Sequence, residues 1–205
     1  MYSLAIAGLL GYLIGSIPTA YLLVKWKSRV DIRQSGSGNV GTLNSLQVSK
    51  SRLIGVSVLA LDLLKGIVAV LLAKSISGEE FSAVATAGVA AVVGHNFPVW
   101  LSFKGGRGLA TAAGVVFLVA WPIVAIWGLC WALGFRATKD VNVGNAVACL
   151  MTMILVLAAP SFVAGIVPDD TPMPAFSYFM TVLFGVILVK HVQPFREFVL
   201  SQKRK

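Results

Sequence analysis

Apolar residues fall in long, nearly uninterrupted runs. They cover 4–24, 53–73, 81–101, 109–135, 143–160 and 176–189. Runs of this length suit membrane-crossing helices, which need about 20 apolar residues each. A polar, glycine-rich stretch over 25–52 separates the first two. The first run lacks the basic start of a signal peptide and continues to Tyr21 and beyond, so it reads as a retained transmembrane helix. No soluble domain, low-complexity tail or clean repeat stands out. The pattern predicts an all-α polytopic membrane protein, one integral membrane domain over 1–205.

Basic residues set the expected topology, because Lys and Arg accumulate in cytoplasmic loops. Lys25, Lys27, Arg29, Arg33, Lys50 and Arg52 lie between the first two runs. Lys104 and Arg107 follow the third; Arg136 and Lys139 follow the fourth. Lys190, Arg196, Lys203, Arg204 and Lys205 sit at the C-terminus. The loop after the second run holds only Lys74, beside Glu79 and Glu80, and the loop with Asp169 and Asp170 holds none. Putting every basic cluster inside forces the run 109–135 to enter and leave on one side. Trp121-Pro122 sits at its middle, and proline disfavours helix continuation. The expectation is therefore a seven-helix bundle with short helices, its N-terminus outside and its C-terminus cytoplasmic, the two short halves of 109–135 either crossing a locally thinned bilayer or forming a re-entrant hairpin. Six spans would export Arg136, Lys139 and the C-terminal cluster.

Composition agrees. Of 205 residues, 57% are hydrophobic and 12% charged. The charged share is about half of the roughly 25% usual in soluble domains. Mean hydropathy is +0.85. That excludes a soluble enzyme, a disordered chain and a disulfide scaffold. The net charge of +9 reports the cytoplasmic loops rather than a nucleic-acid partner. Cys130 and Cys149 lie within apolar runs and read as small hydrophobes. Gly11 and Gly15 form a GxxxG pair, expected to let a neighbouring helix approach closely.

Two loops on the cytoplasmic side carry candidate chemistry. The first reads Gly36-Ser37-Gly38-Asn39-Val40-Gly41-Thr42-Leu43-Asn44. Its literal GxGxxG follows a membrane helix and a charged stretch, not a strand, so a dinucleotide fold is rejected. Closely spaced glycines can still turn backbone N–H groups onto an anion, with Ser35, Ser37, Thr42, Asn39 and Asn44 as added donors. The alternative is a loop that merely turns the chain. The second reads Lys104-Gly105-Gly106-Arg107-Gly108 and opens a helix. It is either an anion nest or ordinary positive-inside punctuation. Together the loops suggest a phosphorylated substrate at the cytoplasmic interface.

Asp62 and Lys65, at i and i+3 within an apolar run, should face inward and pair. They are either a structural ion pair or a substrate contact. His95 and His191 are expected on the same membrane face, each structural or available as a base or phosphate donor. The residues give no support for a metal, a cofactor or a covalent nucleophile.

Three stretches resemble the bacterial membrane acyl-phosphate:glycerol-3-phosphate acyltransferase family. They are Gly15-Ser16-Ile17-Pro18-Thr19-Ala20-Tyr21 with Asp31-Ile32-Arg33 and 36–41, then Leu61-Asp62-Leu63-Leu64-Lys65-Gly66, then Gly94-His95-Asn96-Phe97-Pro98 with Phe103-Lys104-Gly105-Gly106-Arg107-Gly108. The likeness runs over nearly the whole chain and is strongest through Gly114. It implies a seven-helix inner-membrane enzyme that moves an acyl group from acyl phosphate to the 1-hydroxyl of glycerol 3-phosphate, giving lysophosphatidate and phosphate. It implies that Ser35, Gly36, Ser37, Gly38, Asn39, Gly41 and Asn44 hold the donor phosphate. Gln47, Lys104, Arg107, Asn142 and His191 would hold the acceptor, with His191, Asn142 and Arg107 closest to the chemistry. Asp62, Lys65 and His95 would support them.

The departures from the family pattern cluster on the acceptor side. Thr42-Leu43-Asn44 replaces Ala-Thr-Asn, and Gln47 replaces an arginine for which Lys50 or Arg52 could compensate. Arg107 replaces a lysine, Asn142 and Asn145 replace serines, and Val192 and Pro194 follow His191 where Arg and Asn are usual. Two other readings stay open: an acyltransferase with a different acceptor, and a non-catalytic phospholipid- or anion-binding membrane protein. Polar groups crowd one face, which argues against transport.

Overall fold

The computed structural model describes residues 2–78 and 80–203. Glu79, Arg204 and Lys205, which enter the charge pattern, lie outside the described residues. The chain forms two compact units, one up to Val115 and one from Val116 on. The described residues are overwhelmingly helical.

In the first unit, the expected run 4–24 is two helices, α1 (Tyr2–Gly15) and α2 (Thr19–Ser28). The break falls at Ser16-Ile17-Pro18 because Pro18 has no N–H to donate and pushes Ile17 away from helical geometry. Leu22 N–H restarts the ladder on the Pro18 carbonyl at 3.0 Å. A short helix α3 (Thr42–Ser49) leads into α4 (Arg52–Ser77), whose first turn is capped by the Ser51 hydroxyl accepting from Ile54 N–H. α5 (Phe81–Asn96) packs along α1 and α4. Close approach is written in glycine. A Cβ on Gly15 would run into the Ala91 backbone, and one on Gly11 into Ala87, as the GxxxG pair leads one to expect. Gly94 repeats the device from the α5 side against Tyr12.

α6 (Leu109–Thr138) starts in the first unit, where Gly66 of α4 meets Thr111 and Gly114 meets Leu63 backbone to backbone. In the second unit α6 breaks at Ala120, with φ −160° and ψ 72°. That is two residues before Pro122, close to the expected division. α7 (Val141–Ala158), α8 (Pro160–Ala164), α9 (Met173–Val189) and α10 (Val192–Gln202) follow. Trp127 N–H donates to Cys149 Sγ at 3.3 Å, and the rings of Trp131 and Phe135 stack at 5.2 Å. Cys130 and Cys149 are both free thiols.

Among the described residues, five helical runs are long and apolar enough to cross a membrane, and the α9–α10 pair, bent by 52°, makes a sixth. Dividing α6 at Ala120 raises the segments to seven.

Candidate functional site

The first glycine loop is built from both ends. Arg29, left-handed at φ 55°, ends α2. Asp31 then starts a 3-10 turn over Ile32–Gln34, accepting from Arg33 N–H at 2.9 Å and gripping the Arg33 guanidinium at 2.6 Å. That guanidinium holds the Asp31 carboxyl below its ordinary value. It also lies 5.2 Å from the centre of the Tyr21 ring, which ties the loop to α2.

Asn44, in the first turn of α3, shapes the rest. Its buried amide Nδ2 donates to the carbonyls of Ile32 (3.3 Å), Ser35 (3.0 Å) and Asn39 (2.9 Å). Its Oδ1 accepts from Ser37 N–H at 3.0 Å. Gly36 and Gly38 take positive φ of 60° and 71°, which lets 35–39 wrap around this amide. Asn44 is thus spent inside the loop and positions it. Gly36 and Ser37 are exposed, Ser35, Gly38 and Asn39 half-buried and Gly41 buried. No side chain caps the start of α3 at Gly41, so its first N–H groups remain oriented toward whatever lies before them. Gln47 is exposed on α3.

The second loop folds back on the end of α5. Ser102 and Phe103, left-handed at φ 53° and 62°, reverse the chain. Gly105 N–H then donates to the Asn96 carbonyl (3.3 Å) and Gly106 N–H to that of His95 (3.0 Å). All three loop glycines are buried, Lys104 is exposed and Arg107 half-buried. A Cβ on Gly106 would collide with His95 Nε2 and come within 2.6 Å of the Val40 carbonyl oxygen. The two loops therefore touch, Gly106 of one against Val40 of the other.

Behind them lies a buried polar cluster. Lys65 Nζ donates to Asp62 Oδ1 at 2.7 Å, the pair expected from their i, i+3 spacing. Thr19 Oγ1 donates to the same oxygen at 2.6 Å and accepts from Lys65 Nζ at 3.0 Å. His95 Nδ1 stands 3.6 Å from Asp62 Oδ1. A cavity of about 10 Å³, room for roughly one water molecule, is lined by Ser16, Thr19, Val40, Lys65, His95 and Gly105 among others. The break between α1 and α2 forms part of its wall, and there Trp100 N–H donates to the Ser16 hydroxyl at 3.0 Å. The sequence places Ser16 and Thr19 only within a family-like stretch, and assigns no individual role to them or to Trp100. A usable signal existed: an ion pair in apolar surroundings leaves spare lone pairs and protons that need polar neighbours, and Thr19 follows a helix-breaking proline.

Asn142, Asn145 and His191 belong to the second unit. Asp140 caps α7 by accepting from the N–H groups of Asn142 (2.8 Å) and Val143 (3.1 Å). Asn142 is half-buried and Asn145 buried. His191 is buried between α9 and α10, with Nδ1 2.8 Å from the Ile187 carbonyl oxygen. A carbonyl only accepts, so Nδ1 carries the proton and Nε2 is the basic nitrogen of the neutral ring. Val192 is exposed and Pro194 half-buried.

Comparison with known proteins bears on this arrangement. The family model described as glycerol-3-phosphate acyltransferase matches residues 5–200. A glycerol-3-phosphate acyltransferase of Thermotoga petrophila is 39% identical over 72% of this chain and 74% of its own length. One from Caulobacter vibrioides is 39% identical over 92% and 81%. The crystal structure of PlsY, an integral membrane glycerol 3-phosphate acyltransferase in its glycerol 3-phosphate form, superposes with a TM-score of 0.79. It shares 31% identity and covers 97% of this chain and 93% of that one. Its lysophosphatidic acid form gives 0.78 at 30% identity, with the same coverage.

Proposed function

Because the chain belongs to the glycerol-3-phosphate acyltransferase family, we propose that it transfers a fatty acyl group from an acyl phosphate to the 1-hydroxyl of glycerol 3-phosphate. Membership makes it a multi-pass membrane acyltransferase of phospholipid synthesis. The donor, the residue roles and the topology are the proposal. The membrane is the bacterial inner membrane. The basic clusters support a cytoplasmic C-terminus and an outward N-terminus, with the whole chain acting as one membrane domain.

The chemistry needs little covalent help. An acyl phosphate is already activated: the acceptor hydroxyl oxygen attacks the carbonyl carbon, the bond from that carbon to the bridging oxygen breaks, and inorganic phosphate departs. The hydroxyl proton passes to a base or to the leaving phosphate. The protein's task is to bring two anions together and stabilise charge on the leaving group. The first loop is assigned the donor phosphate through its backbone N–H groups, Ser35, Ser37 and Asn39. Asn44 acts by holding that loop. Lys104 and Arg107 are assigned the acceptor phosphate, with Gln47 beside them in role. His191, with Nε2 as its basic nitrogen, orients or deprotonates the acceptor hydroxyl, and Asn142 takes the part of a serine.

The contact of Gly106 with Val40 is the observation that carries this reading, because it joins two anion-friendly loops into one surface. The test is phosphate release from an acyl phosphate by protein purified in detergent, with and without glycerol 3-phosphate, against Asn39→Ala as a control. Release that requires glycerol 3-phosphate is the expected result. Release without it would point to another acceptor, which the neutral Gln47 favours as the second reading. No release would leave a binding protein.

A further inference from the structure

The buried cluster is larger than an ion pair needs to be. Asp62 and Lys65 already satisfy one another at 2.7 Å, and Thr19 adds a hydrogen bond to each. Yet His95, on a different helix, brings Nδ1 to 3.6 Å from the same Asp62 oxygen. Its other edge is occupied as well. Nε2 lies where a Gly106 side chain would begin, and the His95 carbonyl accepts from Gly106 N–H at 3.0 Å. The imidazole is thus a spacer between a carboxylate in the membrane interior and the glycine turn that carries Lys104 and Arg107. Two sides of one residue, ring and carbonyl, fix Gly106, and Gly106 in turn abuts Val40 of the first loop.

We propose that Asp62, acting through the His95 ring, positions the Lys104–Gly108 loop, so that this buried cluster sets the affinity for the acceptor phosphate without touching it. The proposal rests on the assignment of that loop to glycerol phosphate. Asp62 and His95 are positioning residues here. The negative charge of Asp62 favours the ring orientation that turns the Nδ1 edge, 3.6 Å away, toward it. That orientation sets the tilt of the ring, and the ring sets how far Gly106 can sink. A loop displaced by a fraction of an ångström still forms but presents its cations off the phosphate.

The experiment measures kcat, KM for glycerol 3-phosphate and KM for acyl phosphate in the full-length protein. The variants are His95→Gln, Thr19→Val, the charge-neutral pair Asp62→Asn with Lys65→Met, and that pair combined with His95→Gln. Lys104→Ala reports on the loop itself. His95→Gln and the neutral pair are each expected to raise KM for glycerol 3-phosphate about tenfold, with kcat and the acyl-phosphate KM changed far less. The combination should be no worse than the more damaging of its parts, since both act through one ring. Thr19→Val, which is close in size and removes the hydrogen bonds to Asp62 and from Lys65 while keeping both charges, should give the same split in smaller measure. It also serves if the neutral pair fails to fold. If Lys104→Ala leaves KM for glycerol 3-phosphate unchanged, the loop assignment fails. If Lys104→Ala raises it but the cluster variants lower only thermal stability, or act additively, the positioning role is overturned.

Discussion

In the first glycine loop one buried amide, that of Asn44, gathers the carbonyls of Ile32, Ser35 and Asn39 and the N–H of Ser37. In the second, the chain lies back on the end of α5, and the N–H groups of Gly105 and Gly106 reach the carbonyls of Asn96 and His95. The first loop leaves exposed glycine and serine on its outside, whereas the glycines of the second are buried, with Lys104 exposed and Arg107 half-buried. The lesson concerns where each shape is stored. The first depends on a side chain that must not be lost. The second depends on space that must not be filled.

The sharpest way to break that contrast is Asn44→Ala. It removes four contacts made with two N–H hydrogens and one carbonyl oxygen, worth about three hydrogen bonds at about 1 kcal/mol each, so turnover should fall by about a hundredfold if loop geometry sets the rate. Phosphate release by the purified variant checks this, and a loss under threefold would show that the loop holds itself. Next comes Gly106→Ala. A methyl group there meets the Val40 backbone as well as the His95 ring, and backbone yields poorly. Overpacking of this kind costs about 1–3 kcal/mol, read as a lower unfolding temperature and a weaker response to glycerol 3-phosphate. A wild-type melting curve with unchanged kinetics would mean that the turn has slack.

Gln47→Arg tests the acceptor side by gain rather than loss. Restoring a cation at this exposed position should lower KM for glycerol 3-phosphate by roughly threefold to tenfold, the modest range for a solvent-screened contact to phosphate. An unchanged KM would show that Lys50, Arg52 or another group already does that work. The smallest effect belongs to Asp31. Arg33 holds its carboxyl below the ordinary 3.8, so ionised Asp31 favours the folded loop. That contribution is fully present above about pH 4 and is lost as pH falls below 3.8 through the lowered folded value. Melting curves of wild type and Asp31→Asn should differ slightly at pH 6 and converge in acid. A gap that widens in acid would contradict the assignment.

Much of the helical architecture was legible in residue order. Long apolar runs in a backbone that must satisfy its own hydrogen bonds leave little but helices. Pro122 marked the division of α6, although the break settled at Ala120. The break at Ser16-Ile17-Pro18 was missed, because a run judged by hydropathy alone stays apolar across a proline. The loops were found as loops, since glycine spacing is a local property. Asn44 was expected to face the substrate and instead faces inward, and no pattern along the chain distinguishes those two orientations.

Residue order by itself determined the membrane class, most of the long apolar helices, the positions of both glycine loops, the pairing of Asp62 with Lys65 and the close approach at Gly11 and Gly15. Each follows from periodicity, from the cost of lone charge in an apolar medium, or from the absence of a side chain, and all of these act within a few residues. Only the tertiary structure decided that Thr19 and His95 converge on Asp62 and that Gly106 rests against Val40. Those contacts join residues more than 30 positions apart. They depend on the exact rotation and depth of three helices, which many small packing terms settle together and no single local preference encodes.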